Sequence, residues 1–434
     1  MSEARVIRAD RLQTRWEFID LEAMLPCDHC ARIVWGFVET LDLAELYDAI
    51  KSRDGEAGRP ATDPAVLLAL WLYATVEGVG SARELDRLSE RDLAYRWLAG
   101  GVPLNYHGLA DFRVAHVALL DRLLTESVTA LVAEGLVSLA EIAVDGTKVR
   151  ANASRKSFKT ETKLMQIEAE VEARLAALKA EIDGTPDASA RRRRAARERA
   201  AREVKERVAK TRKALEQIKA EKKERAKRHA KDEAKKSEAK ASLSDAEARI
   251  MRFPDGAIRP AYNAQVAAAP REGIIVSVQM TDRRNDSGLA VPMVDDIARR
   301  YGKAPQTLLV DTHYATNEDI AALATHEAGP VTVYAPLPIE RPDTDISPAA
   351  LRNRKSKRRR EPDSVKEWRS RMASAAGQAI YKFRKLIERL NAHCKNHGFG
   401  FMTVRGLVKC TAVALLHALA NNLMAARRLR AESA

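Results

Sequence analysis

Near its C-terminus the chain reads Tyr381-Lys-Phe-Arg384-Lys-Leu-Ile-Glu388-Arg-Leu-Asn-Ala-His-Cys-Lys395. At about 100° per residue, a helix brings the four numbered side chains within an arc of about 60°. One face then presents a phenol, a guanidinium, a carboxylate and an ammonium together. A carboxylate among cations suits a site that holds a metal ion against phosphate, so the segment predicts a helix with a catalytic role.

Two aspartates elsewhere in the chain follow short apolar runs rich in β-forming residues. Asp145 follows the run 139–144, and Asp311 follows 308–310. We expect these two aspartates to join Glu388 as metal ligands. Three carboxylates can hold two Mg²⁺ or Mn²⁺ ions, which need few protein ligands besides water and substrate phosphate. The sequence therefore predicts a two-metal catalytic site on these three acids.

The other polar residues of the C-terminal segment predict contacts with nucleic acid. We expect Arg384 and Lys395 to bind DNA phosphates near the scissile bond. Tyr381 is expected to hydrogen-bond to a flipped base or to stack on it. An ordinary amphipathic helix with surface charges is the alternative, but four different chemistries at one spacing favour a site.

Two other functions for Asp145 are excluded by the residue two positions before it. A nucleotidyl-lysine ligase needs a lysine there, and a phosphoaspartyl phosphatase needs a nucleophilic aspartate. This chain has Ala143 instead. Asp145 is therefore interpreted through its combination with the other two acids.

Charge and composition narrow the class of protein. The chain has 434 residues, with 74 Lys and Arg against 60 Asp and Glu, and a net charge of +14. Residues 155–240 contain 28 Lys and Arg and 16 Asp and Glu, so this segment carries most of the excess. A basic balance predicts a polyanionic partner, most often nucleic acid, and a solvated charged helix is the alternative.

Cysteine content and apolar runs argue against an exported or membrane-bound protein. The four cysteines, at positions 27, 30, 394 and 410, suggest neither a disulfide framework nor a complete zinc site. No apolar signal segment is found at the N-terminus, and the longest apolar runs, 64–76 and 411–419, are shorter than a membrane span. We expect a soluble, cytoplasmic protein that associates with the nucleoid.

Residues 1–135 are predicted to form a helical N-terminal domain. Helices are expected over 64–76, 91–98 and 108–134, separated by glycine turns. Several short helices with tight turns can form a helix-turn-helix reader of DNA ends. A packing or dimerisation bundle is the alternative, and both stay open.

Residues 158–245 are predicted to form an inserted, basic helical hairpin. Over 158–182 apolar residues recur every three or four positions, as in a coiled-coil seam. A turn at 183–186 and a second, longer helix complete an antiparallel pair. Residues 221–240 have almost no apolar side chain and are predicted to be a frayed or disordered basic tract. The hairpin is expected either to grip DNA or to pair with itself or another subunit.

The remaining residues alternate between strand and helix patterns. Strands are expected at 139–150, 261–268, 273–280, 307–311 and 330–335, and helices at 287–300, 317–326, 364–396 and 408–428. This order predicts an α/β domain with an RNase H-like fold, built from residues 136–157 and 246–434. In that fold the three acids lie on the first strand, at the end of the fourth strand and on a late helix, as Asp145, Asp311 and Glu388 do. The run 352–360 is predicted to be an exposed basic loop.

These motifs resemble those of a large group of bacterial insertion-sequence DDE transposases. The signature Tyr-x₂-Arg-x₃-Glu-x₆-Lys of that group is matched at all four positions. Surrounding segments agree: Ala143-Val-Asp145-Gly-Thr-Lys148, Pro260-Ala-Tyr-Asn-Ala-Gln265, Val310-Asp311-Thr-His-Tyr-Ala-Thr, Val404-Arg405-Gly-Leu-Val-Lys409 and Ala420-Asn-Asn-Leu423. We expect Lys148 and Arg405, which lie in these segments, to contact DNA as well. The resemblance covers most of the chain, except the charged hairpin and the basic run 352–360.

The resemblance implies a function and its partners. It implies metal-dependent cleavage at the ends of a mobile element and transfer of the 3′-OH ends into target DNA. The implied partners are double-stranded DNA with terminal inverted repeats, target DNA, and a second copy of the chain in a homodimeric synaptic complex. The alternatives are a structure-specific nuclease of the same fold and a non-catalytic DNA-binding protein whose acids serve structure alone.

Overall fold

The computed structural model of the protein describes residues 20–52, 60–180, 188–228, 238–314, 316–339 and 342–433. The chain divides into two compact units. One contains the chain up to Leu70 together with Ala82–Leu109, and the other contains Trp71–Ser81 and Ala110–Ala434. The predicted domain boundaries at 135/136, 157/158 and 245/246 stay predictions.

Helices make up most of the chain. They are α1 Cys30–Glu39, α2 Ala44–Asp48, α3 Pro64–Val76, α4 Ala82–Arg91, α5 Leu93–Ala99, α6 Tyr106–Ala115, α7 Val117–Ala133, α8 Glu161–Ala180, α9 Ala188–Arg228, α10 Ala290–Tyr301, α11 Asn317–Ala324, α12 Pro348–Arg359, α13 Asp363–Ala373, α14 Ala375–Tyr381, α15 Lys385–Cys394 and α16 Leu407–Ser433. Short 3₁₀ turns lie at Glu22–Met24, Arg155–Ser157, Asp343–Asp345 and Lys382–Arg384, and a π turn lies at Lys395–Phe399.

The strands are fewer and shorter. They are β1 Glu141–Arg150, β2 Phe158–Lys159, β3 Ala241–Ser242, β4 Arg249–Arg252, β5 Ile258–Ala269, β6 Ile274–Thr281, β7 Thr307–Leu309 and β8 Thr332–Tyr334. The five predicted strands are all present, and the short strands β2, β3 and β4 were not predicted.

The first unit is helical, as predicted for the N-terminal region. Its short helices are set by local capping: the side chain of Asp92 accepts hydrogen bonds from Ala94 N and Tyr95 N at the start of α5, and Gly100 ends that helix with a φ of +58°. The indole of Trp97 donates to Glu22 at 3.0 Å. Because capping residues act locally, the ends of short helices such as α5 can be predicted from the sequence.

The long helix predicted over 108–134 is wrong in one respect. The segment forms two helices, α6 and α7, because the backbone at His116 leaves the helical region with φ −116° and ψ 44°. The three-to-four spacing of apolar residues continues across this break. Periodicity therefore could not reveal it.

A mixed sheet forms the centre of the second unit. β5 and β6 are antiparallel neighbours, β1 pairs antiparallel with β5, and β7 and β8 continue the sheet in parallel on the other edge of β1. β4 pairs with the first half of β5, on the edge that β6 occupies farther along. The predicted succession of three strands followed by alternating helices and strands is confirmed by the element order.

Asp145 lies inside β1, which extends five residues beyond it to Arg150. β1 pairs with β7 only over residues 141–143, and it pairs with β5 over residues 143–150. β7 ends at Leu309 and covers the edge of β1 only as far as Ala143. Among the described residues no strand pairs with that edge beside Asp145. The alternation of side chains along a strand places Asp145 and Gly146 on opposite faces of the sheet.

Helix α16 closes the outer edge of the sheet. The side-chain amide of Asn422 accepts from Ile275 N at 2.8 Å and donates to Ile275 O at 2.7 Å, as a neighbouring strand would do. Within the described residues, α16 is the one helix whose length and composition would allow it to cross a membrane, and 56% of its most apolar window is buried inside the protein. The predicted short run 411–419 is thus part of a longer helix with the burial of a core element.

The inserted hairpin is present as α8 and α9, and they run antiparallel. Glu161 pairs with Lys219, Glu168 with Arg212 and Glu172 with Lys205. The partners on α9 thus come earlier in the sequence as those on α8 come later, which is the antiparallel order. At its base, β2 pairs with β3 and an apolar cluster includes Leu164, Leu215 and Ile218.

Part of the predicted disorder in the hairpin is wrong, because α9 continues to Arg228. The high helix propensity of Ala, Lys, Glu and Arg supports a helix over 221–228 without an apolar seam. The predicted turn at 183–186 and the tract 229–237 lie outside the described residues.

The basic run 352–360 is exposed, as predicted, but it forms most of helix α12 rather than a loop. Like charges three or four residues apart oppose a helix by about 0.2–0.5 kcal/mol per pair. The side chain of Ser347 caps the helix by accepting from Ala350 N, and Pro348 occupies its first turn. Cations in the last turn also favour the helix dipole.

Candidate functional site

The C-terminal signature follows a continuous but uneven helical path. The predicted single helix over 364–396 is divided into α13, α14, a 3₁₀ turn, α15 and a π turn. The backbone at Tyr381, Arg384 and Lys395 is nevertheless right-handed helical, so the chain keeps its direction through the 3₁₀ segment. The signature residues therefore stay grouped, although the helix is not regular.

The centre of the group is the carboxylate of Asp145, whose side chain is 18% exposed. Arg384 Nη2 donates to its Oδ1 at 2.9 Å, and Asn391 Nδ2 donates to its Oδ2 at 2.9 Å. Burial raises the pKa of Asp145, and the positive charge of Arg384 and the Asn391 hydrogen bond oppose that rise. Asp145 is thus a desolvated carboxylate for which a nearby cation is favourable.

Arg384 connects two of the three predicted acids. Besides its bond to Asp145, its Nη1 donates to Glu388 Oε1 at 2.6 Å. Burial alone would lower the pKa of Arg384, but the charges of Asp145, Tyr381, Asp311 and Glu388 outweigh burial and raise it. One guanidinium therefore holds a positive charge between acids that lie 243 positions apart in the sequence.

The third acid, Asp311, lies in the turn that follows β7. Its Oδ1 accepts a hydrogen bond from Thr312 N at 2.7 Å, and its carbonyl accepts one from Tyr314 N at 3.0 Å. Asp311 contributes to the electrostatic environment of both Arg384 and Tyr381. Asp145 and Glu388 therefore contact the same guanidinium, whereas Asp311 acts on its charge without a hydrogen bond to it.

Two further signature residues lie beside this group. Burial raises the pKa of the half-buried Tyr381, which keeps its phenol protonated and able to donate. Burial lowers the pKa of Lys395, and the charge of Asp145 opposes that change. Both groups can therefore act on a ligand that approaches the acids.

Lys148 and Arg405 lie farther from the acids. Lys148 is three residues beyond Asp145 and projects from the opposite face of β1, where its Nζ donates to Arg252 O at 2.8 Å. The exposed Arg405 donates to Asn152 O at 3.0 Å, past the end of β1. Asn152 lies two residues beyond the end of β1 and seven residues after Asp145. Contact of these two residues with DNA stays a prediction.

Sequence reasoning missed Asn391, which holds Asp145 directly. Asn391 is 5% exposed and follows Glu388 by three residues, so helical spacing places both on one side of α15. An asparagine three residues after Glu388 could have indicated a further polar residue of the site.

Sequence reasoning also missed a polar network on the opposite face of β1. Asp286 Oδ1 accepts from Asn263 Nδ2 at 2.7 Å and from Gln265 Nε2 at 2.9 Å, and the hydroxyl of Tyr314 donates to Gln265 Oε1. Asn263 and Gln265, on β5, are each 1% exposed. Two buried amides on one face of a strand indicate such a network, because buried polar groups need partners.

The chemistry of the acids suits a hard divalent cation, but no complete metal site is formed. In the part of the chain that the structure describes, no three His, Cys, Asp or Glu side chains are grouped closely enough to hold a metal ion. The candidate donors are carboxylates, which Mg²⁺ and Mn²⁺ prefer. The guanidinium of Arg384 is bonded to two of them, so the site already favours positive charge.

Comparison with protein families gives two matches. Residues 253–423 match the family described as a transposase DDE domain, and residues 19–115 match the one described as a transposase domain (DUF772). Asp286, Asp311 and Glu388 lie inside the first match, whereas Asp145 and the hairpin lie outside both. Neither a curated protein nor a solved structure matches the chain.

These matches support an insertion-sequence transposase with a helical N-terminal region and a DDE transposase domain. They suggest an enzyme of nucleic-acid cleavage and transposition, and they imply a DNA substrate.

Proposed function

We propose that this chain is a transposase of the group with the Tyr-Arg-Glu-Lys signature, and that it cleaves element ends and transfers their 3′-OH groups into target DNA. The observation that carries the proposal is the double hydrogen bond of Arg384 to Asp145 and Glu388. This bond joins the strand acid and the helix acid of the signature at one point.

The sheet supports an RNase H-like fold for the catalytic domain. The strands lie in the order β6, β5, β1, β7 and β8, with β1 antiparallel to β5 and parallel to β7. In this arrangement the first predicted acid lies on the central strand and the second follows the neighbouring parallel strand. Both are then available at the open edge of β1 beside Asp145.

Asp145, Asp311 and Glu388 would hold the divalent ions. Such ions activate an attacking oxygen and stabilise a leaving oxygen in phosphodiester chemistry. The protein residues would orient the DNA: Arg384 and Lys395 neutralise phosphate charge, and Tyr381 donates from a protonated phenol.

DNA binding would extend beyond the acids. Lys148, Arg405, the basic hairpin and α12 carry exposed or half-exposed positive charge suited to a phosphate backbone. We propose terminal inverted repeats and target DNA as the substrates and a homodimer as the synaptic form. In the cell such a protein would associate with the nucleoid.

The test is Mg²⁺-dependent cleavage of linear DNA that carries the genomic ends flanking the gene. Asp145→Asn, Asp311→Asn and Glu388→Gln should each reduce cleavage by about a thousandfold or more, because each removes several kcal/mol of charge stabilisation. DNA binding should persist in all three. Asp295→Asn is the matched control, because Asp295 is an exposed acid on α10 that pairs with His326.

Retained cleavage in any one variant removes that residue from the catalytic set. A strand-transfer assay with pre-cut ends separates the proposed transposase from a nuclease of the same fold, since a nuclease cuts but does not join. Binding without cleavage by the unmodified protein would favour the non-catalytic alternative.

A further inference from the structure

We propose that Asp286 is a positioning residue that fixes the Asp311 turn through Gln265 and Tyr314. The inference rests on the proposed function, in which Asp311 is a catalytic carboxylate. Asp286 lies between β6 and α10 and belongs to none of the motifs that defined the site. Its connection to Asp311 runs through side chains from two other parts of the chain.

The first step of the connection depends on Gly146. Gly146 is directly opposite Gln265 in the register of β1 and β5. A Cβ on Gly146 would lie 2.7 Å from Asp286 Cγ and 2.9 Å from Gln265 Nε2, and closer still to Asp286 Oδ1. The missing side chain therefore opens the space in which the carboxylate of Asp286 meets the amide of Gln265.

The second step is the direction that Asp286 imposes on Gln265. The oxygen Oδ1 of Asp286 accepts from Nε2 of Gln265, so the amide turns its NH₂ group toward Asp286. Its carbonyl oxygen then faces away and can accept from the hydroxyl of Tyr314. Asn263 donates to the same oxygen of Asp286 and holds the carboxylate from a second side.

The third step links Tyr314 to the turn. Tyr314 is fully buried, and burial together with the nearby Asp286 and Asp145 raises the pKa of its hydroxyl, which therefore stays a donor. Its backbone N donates to Asp311 O at 3.0 Å, and its carbonyl accepts from Thr316 N at 3.1 Å. A tyrosine anchored at its hydroxyl thus restrains the backbone that carries Asp311.

The consequence is a fixed position for Asp311 relative to Asp145. Gly146 neighbours Asp145 on β1, and Tyr314 follows Asp311 by three residues. The network therefore connects the two acid-bearing segments from the face of the sheet opposite α15. Partners that hold a ligand in place typically change metal affinity by about 10–100-fold when removed.

The alternative role for Asp286 is that of a direct metal ligand, and two substitutions separate the roles. Asp286→Ala removes the acceptor, whereas Asp286→Asn can keep an oxygen in the same place but removes the charge. A positioning role predicts that Asn preserves most of the function. A ligand role predicts that Asn fails as Ala does.

The experiment uses the full chain with Asp286→Ala, Asp286→Asn, Tyr314→Phe and the double variant Asp286→Ala/Tyr314→Phe. Tyr301→Phe is the matched control, because Tyr301 donates from a buried hydroxyl to Val276 O at 2.8 Å outside this network. The first readout is amide hydrogen exchange at Thr312, Tyr314 and Thr316. The second is the dissociation constant for Mn²⁺, measured by calorimetry.

Asp286→Ala and Tyr314→Phe should each speed exchange at these amides by about tenfold and weaken Mn²⁺ binding by about tenfold or more. The double variant should bind Mn²⁺ no more weakly than the more impaired of the two single variants, because both substitutions break one chain of contacts. Asp286→Asn and Tyr301→Phe should leave exchange at the turn near that of the unmodified protein.

Unchanged exchange in both Asp286→Ala and Tyr314→Phe would overturn the positioning role. Additive losses of Mn²⁺ affinity, with Asn as poor as Ala, would assign Asp286 to the metal directly and also overturn it. Failure of the unmodified protein to bind Mn²⁺ or cut DNA would instead remove the proposed function. The exchange readout would still decide whether Asp286 fixes the turn.

Discussion

The candidate site and the inserted hairpin are both rich in charge, but they hold that charge differently. At the site, Arg384 and Asp145 are 12% and 18% exposed, and they come from distant segments. In the hairpin, Lys205 and Glu172 are 50% and 56% exposed and lie on adjacent helices. Removing one partner of the first pair leaves a desolvated charge and lowers the free energy of unfolding, whereas water can replace either partner of the second. The two regions therefore differ in how much each ion pair contributes to stability, although both are rich in charge.

Removing one cation from each region should give the largest contrast. Arg384→Met leaves Asp145 buried without its ion pair, so the free energy of unfolding should fall by about 3 kcal/mol. The pKa of Asp145, already raised by burial, should rise further. Lys205→Met is the hairpin counterpart and should cause no measurable change. Chemical denaturation of both variants measures the difference, and equal effects would contradict the comparison.

Gly146→Ala should give the next largest effect. The added methyl group would meet Asp286 and Gln265, and overpacking of this kind costs about 1–3 kcal/mol. Cleavage should fall as well, because the network that reaches the Asp311 turn is displaced. Gly36→Ala in α1 is the control, since nothing lies within 4 Å of its added Cβ. Thermal unfolding and the cleavage assay check both outcomes, and a stable, active Gly146→Ala protein would contradict the close packing there.

Neutralising the hairpin should change stability least. Arg191→Gln combined with Arg192→Gln removes two exposed charges from α9, so the free energy of unfolding should change by less than about 0.5 kcal/mol. If these residues contact DNA, the slope of log affinity against log salt should decrease by about 0.9 for each lost contact. Arg122→Gln, on α7, should leave the slope unchanged. An unchanged slope in the double variant would favour pairing between subunits as the role of the hairpin.

The sequence predicted the parts of the fold that depend on local pattern. The limits of α3 agree with the helix predicted over 64–76, because a proline at its start, apolar content and glycines after its end all act locally. The signature also predicted that Arg384 and Glu388 would share a side. It could not reveal that Arg384 would pair with Asp145, because that contact depends on how β1 and α15 pack.

What the sequence did not predict depends on neighbours that are distant along the chain. Gly146 was predicted only as part of a strand, and its role becomes clear only when Asp286 is seen beside it. The break at His116 and the helix at α12 were missed for a different reason. In both, backbone conformation at a few capping positions outweighs the average pattern of the segment.

The amide of Asn422 has a consequence for how copies of this protein can associate. Together with the hydroxyl of Tyr301, which donates to Val276 O, it occupies main-chain groups on the outer side of β6. An edge strand whose main-chain groups are unpaired can add a strand from another polypeptide. With the main-chain groups of Ile275 and the carbonyl of Val276 satisfied internally, strand addition at this part of β6 would have to displace these two side chains.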